Sequence, residues 1–161
     1  MQRTVTGVVE GLADEAALIK ICKTVGLNTG PIHGKRGKGY LDKNIHGYNQ
    51  AAKYSKWVVL RDLNHDAHCP PELLGRLLAN PSRGMTVRIA VREIESWFLG
   101  DSERFAIFFG VSKTKVPADP ESLEYPKKKV IQLAEKSRKK DIRSDLIPRS
   151  RSISSEGPAY A

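Results

Sequence analysis

The sequence predicts an α/β protein with a mostly parallel central sheet covered by helices on both faces. Two observations carry that prediction. Short runs rich in β-branched residues alternate with longer stretches of helical period, the pattern of repeated strand–helix–strand units. The chain has 161 residues and is 40% hydrophobic, enough for one compact core.

Thr4 to Val9 is rich in β-branched residues and stops at Glu10-Gly11, so it reads as a short buried strand. ADEAALIKICKTVG follows, with Leu18, Ile21, Cys22 and Val25 at the i, i+3, i+4 and i+7 positions of one helical face. Asp14 and Glu15 lie in its first turn, where the helix dipole favours them, and Gly26 is a credible stop. NTGPIHGKRGKGY, residues 28–40, reads as loop by composition. A helix is expected from about Leu41 to Lys53 and a second strand from Trp57 to Arg61. Pro70-Pro71 opens another helix. Thr86 to Val91 alternates as a third strand. Helices are then expected over Glu93–Leu99, with Ile94, Trp97 and Phe98 on one side, and over 103–109. After a proline-rich connection, KKKVIQLAEKSRKK reads as a basic amphipathic helix. Periodicity fades after Asp141, and RSRSISSEG has the composition of a disordered segment. The expected organisation is a single α/β domain over residues 1–140 and a flexible basic tail over 141–161.

The net charge is +9, and residues 127–151 hold ten Lys/Arg against three acidic residues. The first 126 residues are close to neutral. Such a localised basic segment fits an acidic polymer, and it equally fits a solvated tail. No apolar run approaches the roughly 20 residues of a membrane helix, and the N-terminus lacks the apolar region of a signal peptide. Two cysteines make no disulfide framework. The expectation is a soluble cytoplasmic protein without a membrane partner.

In a parallel sheet, ligands bind beyond the carboxyl ends of the strands. Three such ends carry carboxylates here: Glu10, Asp62, and the Arg92-Glu93-x-Glu95 stretch. Hard divalent cations prefer oxygen ligands, and Mg²⁺ typically takes one or two carboxylates with waters and substrate phosphates. In VVLRDLNHDAHC, Asp62 and Asp66 offer carboxylates and Asn64 an amide oxygen. They share one face if the segment stays extended. Glu10 could bind the metal or act as a general acid or base. The structural alternative is that each acid is a turn former or helix cap.

Val8-Val9-Glu10-Gly11 followed by Asp14-Glu15 resembles the first motif of Toprim domains. These are the catalytic modules of type IA and II topoisomerases, bacterial primases and overcoming-lysogenization-defect nucleases. VVLRDLNHD resembles their second motif, a strand ending in Asp-x-Asp. Glu95-Ser96-Trp97-Phe98-Leu99 with Asp101, and Gly157-Pro158-Ala159-Tyr160, are similar to small Toprim-related bacterial proteins of unknown function. The resemblance implies a Rossmann-like Toprim fold in which Glu10 is the general acid or base and Asp62 a ligand of Mg²⁺ or Mn²⁺. Asn64 replaces the second aspartate of the pair, with Asp66 as a substitute two residues on. Glu95 is preferred to Glu93 as a further ligand. The implied activity is phosphoryl transfer, a nuclease acting on nucleic acid and serving in genome defence. The alternative is a catalytically weakened binding module or a subunit of a nucleic-acid-associated complex. A partner protein or a second copy of the chain fits the latter.

Arg61 and Arg92 could hold phosphate bidentately, Arg92 within the catalytic set and Arg61 as a nucleic-acid contact; either could instead pair with a carboxylate. The glycine-rich loop offers Lys35, Arg36 and Lys38 to a phosphate backbone, and the basic helix offers Lys127, Lys128 and Lys129. The loop is not a P-loop, since Gly30 to Gly34 is one residue short and Lys35 precedes an arginine. His65, His68 and Cys69 invite a zinc reading, but the remaining donors Cys22, His33 and His46 are distant in sequence. No small-molecule cofactor is implied.

Overall fold

The computed structural model describes residues 3–147. The elements run β1 (Thr4–Val9), α1 (Leu12–Thr24), β2 (Asn28–Gly34), α2 (Lys38–Ala51), β3 (Trp57–Asp62), α3 (Pro70–Leu77), β4 (Met85–Ala90), α4 (Glu95–Gly100), α5 (Ser102–Phe109), two 3₁₀ turns, α6 (Pro126–Glu135) and α7 (Lys140–Leu146). The chain forms two compact units that divide between Val91 and Arg92.

The first unit is an α/β layer structure. Its four strands are all parallel, in the order β2-β1-β3-β4. One face carries Val8, Val59 and Val87, paired in register across three strands. Leu41 and Ile45 of α2, Ala52 just after it, and Leu74, Leu77 and Leu78 of α3 and its C-terminus pack in the same cluster. On the other face α1 lies close to β1. A Cβ added to Gly7 would come within 2.5 Å of the Leu18 side chain. Alternation along β1 therefore assigns Gly7 to α1 and Val8 to α2.

Two helical expectations change. On α1 the buried residues are Asp14, Ala17, Leu18 and Cys22, whereas Ile21 and Val25 are 42% and 63% exposed. The helix is apolar on several sides, so spacing alone did not select its buried face. The segment 28–40, expected as loop, contains β2, and α2 begins at Lys38 rather than Leu41. Gly30, Pro31 and Gly34 disguised the strand. It lies at the sheet edge and pairs only with β1, with a register shift beside Pro31, the position where proline is tolerated.

The second unit is helical. Leu99, Phe105, Ala106, Phe109, Val116, Val130, Leu133, Ala134 and Ile142 form its core. Asp101 caps α5 by accepting from the Arg104 N–H at 3.1 Å, and Gly110 ends it in the left-handed region at φ +64°. Phe98 is 37% exposed while Ile94 is buried. The basic helix stops at Glu135, where Ser137 turns the chain and its hydroxyl donates to the Phe109 carbonyl at 2.5 Å. Residues 141–146, expected within the tail, belong to α7, which buries Ile142. A seven-residue helix with one buried side chain shows no readable period. The expected disorder of RSRSISSEG and the Gly157–Tyr160 motif lie outside the described residues. Among the described residues no helix is long and apolar enough to cross a membrane.

Candidate functional site

The strand order reverses direction between β1 and β3. The chain leaves β1 for β2 on one side and returns to β3 on the other. In open parallel sheets the crevice at such a reversal, beyond the carboxyl ends of the strands, is where ligands bind. Glu10 follows β1 directly and Asp62 closes β3. The Asp62 backbone N–H donates to Glu10 Oε1 at 2.8 Å. The two residues thus meet at the rim, though 52 positions apart in sequence.

Arg61 is the centre of the site. Its side chain is 2% exposed. Nε and Nη2 form a fork on Asp42, both at 2.9 Å, and Nη2 also reaches Asp66 Oδ2 at 2.8 Å. Nη1 lies 3.2 Å from Glu10 Oε1 and donates to the Asp62 carbonyl. Lys38 Nζ bonds both oxygens of Asp66, at 2.7 and 3.0 Å. One guanidinium therefore ties together the end of β1, the start of α2 and the loop after β3. Burial works against its charge, but the bonds to Asp42 and Asp66 outweigh that and raise its pKa.

The same burial acts differently on two of its partners. It pushes the Glu10 carboxyl above the ordinary range, opposed less strongly by the Asp62 N–H and the Arg61 charge. For Asp66 burial also raises the pKa, but the bonds from Lys38 and Arg61 prevail and hold it below the usual carboxylate value.

The loop 34–37 closes over the end of β1. The Lys35 N–H donates to the Val9 carbonyl at 2.9 Å and the Gly37 N–H to the Glu10 carbonyl at 3.0 Å. Gly34, at φ +90°, must be glycine here, because a Cβ would fall 2.1 Å from the Val9 oxygen. The loop thereby brings Lys35, Arg36 and Lys38 to the end of β1 beside Glu10. Lys35 pairs with Glu15 at 3.0 Å, and Arg36 lies over the Tyr40 ring at 4.7 Å.

Several expected roles change. Arg61 is not a surface contact for nucleic acid: it is sealed by carboxylates. Residues 62, 64 and 66 do not share an extended face. The chain turns between Leu63 and Asp66, closed by the Asp66 N–H on the Leu63 carbonyl at 3.1 Å, with Asn64 at φ +49°. That left-handed conformation suits asparagine better than most residues. Asp14 accepts from the Gly11 N–H at 3.1 Å and serves the start of α1. Asp42 was missed. Nothing local in α2 marks it, and its contact with Arg61 spans 19 residues.

Arg92, Glu93, Glu95 and Lys127–Lys129 belong to the second unit. Arg92 has a left-handed φ of +60°. Glu93 accepts the Lys127 N–H at 2.7 Å and so caps the first turn of α6. Glu95 is buried at the start of α4. Lys128 is exposed, and Lys127 and Lys129 are half-buried.

The Mg²⁺ or Mn²⁺ implied by the resemblance does not fit these residues. Alternation along β3 directs the Arg61 and Asp62 side chains to opposite faces, and Asp62 meets Glu10 through its backbone N–H. Asp66 is already neutralised by Arg61 and Lys38. Among the described residues no three His, Cys, Asp or Glu side chains are grouped to hold a metal ion, which also covers the zinc reading. Comparison with protein-family models, with curated proteins and with solved structures finds no match.

Proposed function

We propose that the chain is a Toprim-like protein acting on nucleic-acid phosphodiesters, a nuclease or related phosphoryl-transfer protein of genome defence. The observation that supports this reading is Glu10. It stands at the reversal of the sheet, bonded to the neighbouring strand end, with its carboxyl pushed up by burial. A carboxyl with a raised pKa is suited to acid–base work near neutral pH. In this reading Glu10 takes a proton from the attacking water as the water oxygen bonds to phosphorus; the P–O bond to the leaving oxygen breaks, and that oxygen takes up a proton from solvent. Arg36 and the loop lysines contact the phosphate backbone.

The test is cleavage of plasmid, single-stranded DNA and RNA by the parent and by Glu10→Gln. Loss of acid–base catalysis lowers the rate about 100-fold or more. Equal cleavage by both proteins would remove Glu10 from the mechanism. A second reading, a binding module on the same scaffold, is favoured by the neutralisation of the carboxylates by Arg61. It expects salt-sensitive nucleic-acid binding, weakened by Arg36→Ala, with no cleavage.

A further inference from the structure

We infer that Arg61 is the built-in cation of the site. Its guanidinium fills the space between Glu10, Asp42 and Asp66, and the native protein holds no divalent ion there until this side chain is removed.

Three observations carry the inference. First, the charge match is already made. Arg61 contacts Glu10, Asp42 and Asp66 at 2.8 to 3.2 Å, and Lys38 adds a second positive charge on Asp66. An added divalent ion would face two cations at close range. Second, Arg61 cannot step aside. It lies within β3, paired in register with Ile89 of β4, and its side chain is 2% exposed. Nor can it become neutral to make way, since guanidinium stays protonated in proteins. Third, its donors are spent on the protein. Nε, Nη1 and Nη2 all have partners, and Nη1 also takes the Asp62 carbonyl. The fork is directed inward, so Arg61 is no phosphate anchor either. It positions Glu10 and leaves contact with substrate to exposed groups.

The inference goes beyond the proposed activity and does not rest on it. It holds for a cleaving enzyme and for a binding module alike, because it is read by ion binding and not by turnover. The experiment titrates Mn²⁺ into the full chain, followed by calorimetry and by the electron paramagnetic resonance signal of free Mn²⁺. The parent and Arg61→Lys are expected to show no saturable site at millimolar Mn²⁺. Arg61→Ala leaves Glu10 and Asp42 without their guanidinium partner and Asp66 with Lys38 alone, and affinity should rise at least tenfold. Adding Asp42→Asn to Arg61→Ala should reverse the gain. If Arg61→Ala does not fold, Arg61→Gln takes its place. If neither folds alone, Mn²⁺ should restore the folded state, and failure to do so overturns the inference. It is equally overturned if the parent binds one Mn²⁺ that Asp42→Asn abolishes, or if a folded Arg61→Ala gains nothing. Failure of the Glu10→Gln cleavage test would leave these ion-binding results untouched.

Discussion

Arg61 in the first unit and Phe105 in the second are both nearly sealed from water, 2% and 7% exposed. Their surroundings could hardly differ more. Arg61 is held by charged partners from three separate segments, each at a defined distance. Phe105 stacks on Phe109 with ring centroids 4.0 Å apart, inside a cluster with no charged member. A core of the second kind needs apolar volume and shape, and it tolerates exchange among similar side chains. A buried ion cluster adds little net stability, yet it fixes geometry, since losing one member strands the rest. The difference teaches that the first unit has its polar atoms arranged for a task, whereas the second is held by packing.

The comparison is broken most directly at Arg61. Arg61→Ala removes the shared cation from three carboxylates, leaving Asp66 with Lys38 alone, and should cost about 3–5 kcal/mol in urea unfolding at neutral pH. Arg61→Lys should recover only part of that, because an ammonium cannot reproduce the fork on Asp42. A loss below about 1 kcal/mol would mean that the cluster is screened like a surface pair. Next in size is Leu133→Ala in the second unit, expected to cost about 3 kcal/mol.

The smallest expected effect is the sharpest, because it has two signs. Asp66 has a lowered pKa in the folded protein, so its contribution is present above its ordinary value of 3.8 and is lost as the pH falls through the folded value. Glu10 has a raised pKa, so its ionised form costs stability above the folded value. That cost disappears as the pH falls toward its ordinary value of 4.5. Between pH 7 and pH 4.5 the parent should therefore gain stability relative to Glu10→Gln. Below pH 3.8 it should lose its advantage over Asp66→Asn. Paired unfolding curves over pH 3 to 7 check both, and curves that shift in one direction would show that the two carboxylates share an environment.

Much of the first unit was legible from the residues. β1, β3 and β4 are short runs rich in β-branched residues, and a strand that stops at an acid announces its own end, which is why Glu10 and Asp62 could be matched in advance. β2 was hidden because its composition is that of a turn and its edge position tolerates proline. The Arg61–Asp42 pair was hidden for a different reason. It depends on how α2 docks on the sheet, and no periodicity encodes that contact. The shared face expected of residues 62, 64 and 66 is lost at Asn64, where one left-handed residue converts an alternating strand into a turn. The buried face of α1 was partly misread because Ile21 and Val25 are as apolar as the residues that pack.

Pro31 and the register shift beside it bear on how copies of this protein meet. A bare strand at the margin of a sheet is a template on which another chain can add itself, backbone to backbone. Proline presents no amide hydrogen there, and the shift interrupts the even spacing that a recruit would have to match. Growth of the sheet across β2 into a continuous ribbon is thereby discouraged, which leaves β4 as the margin with an even run of backbone groups.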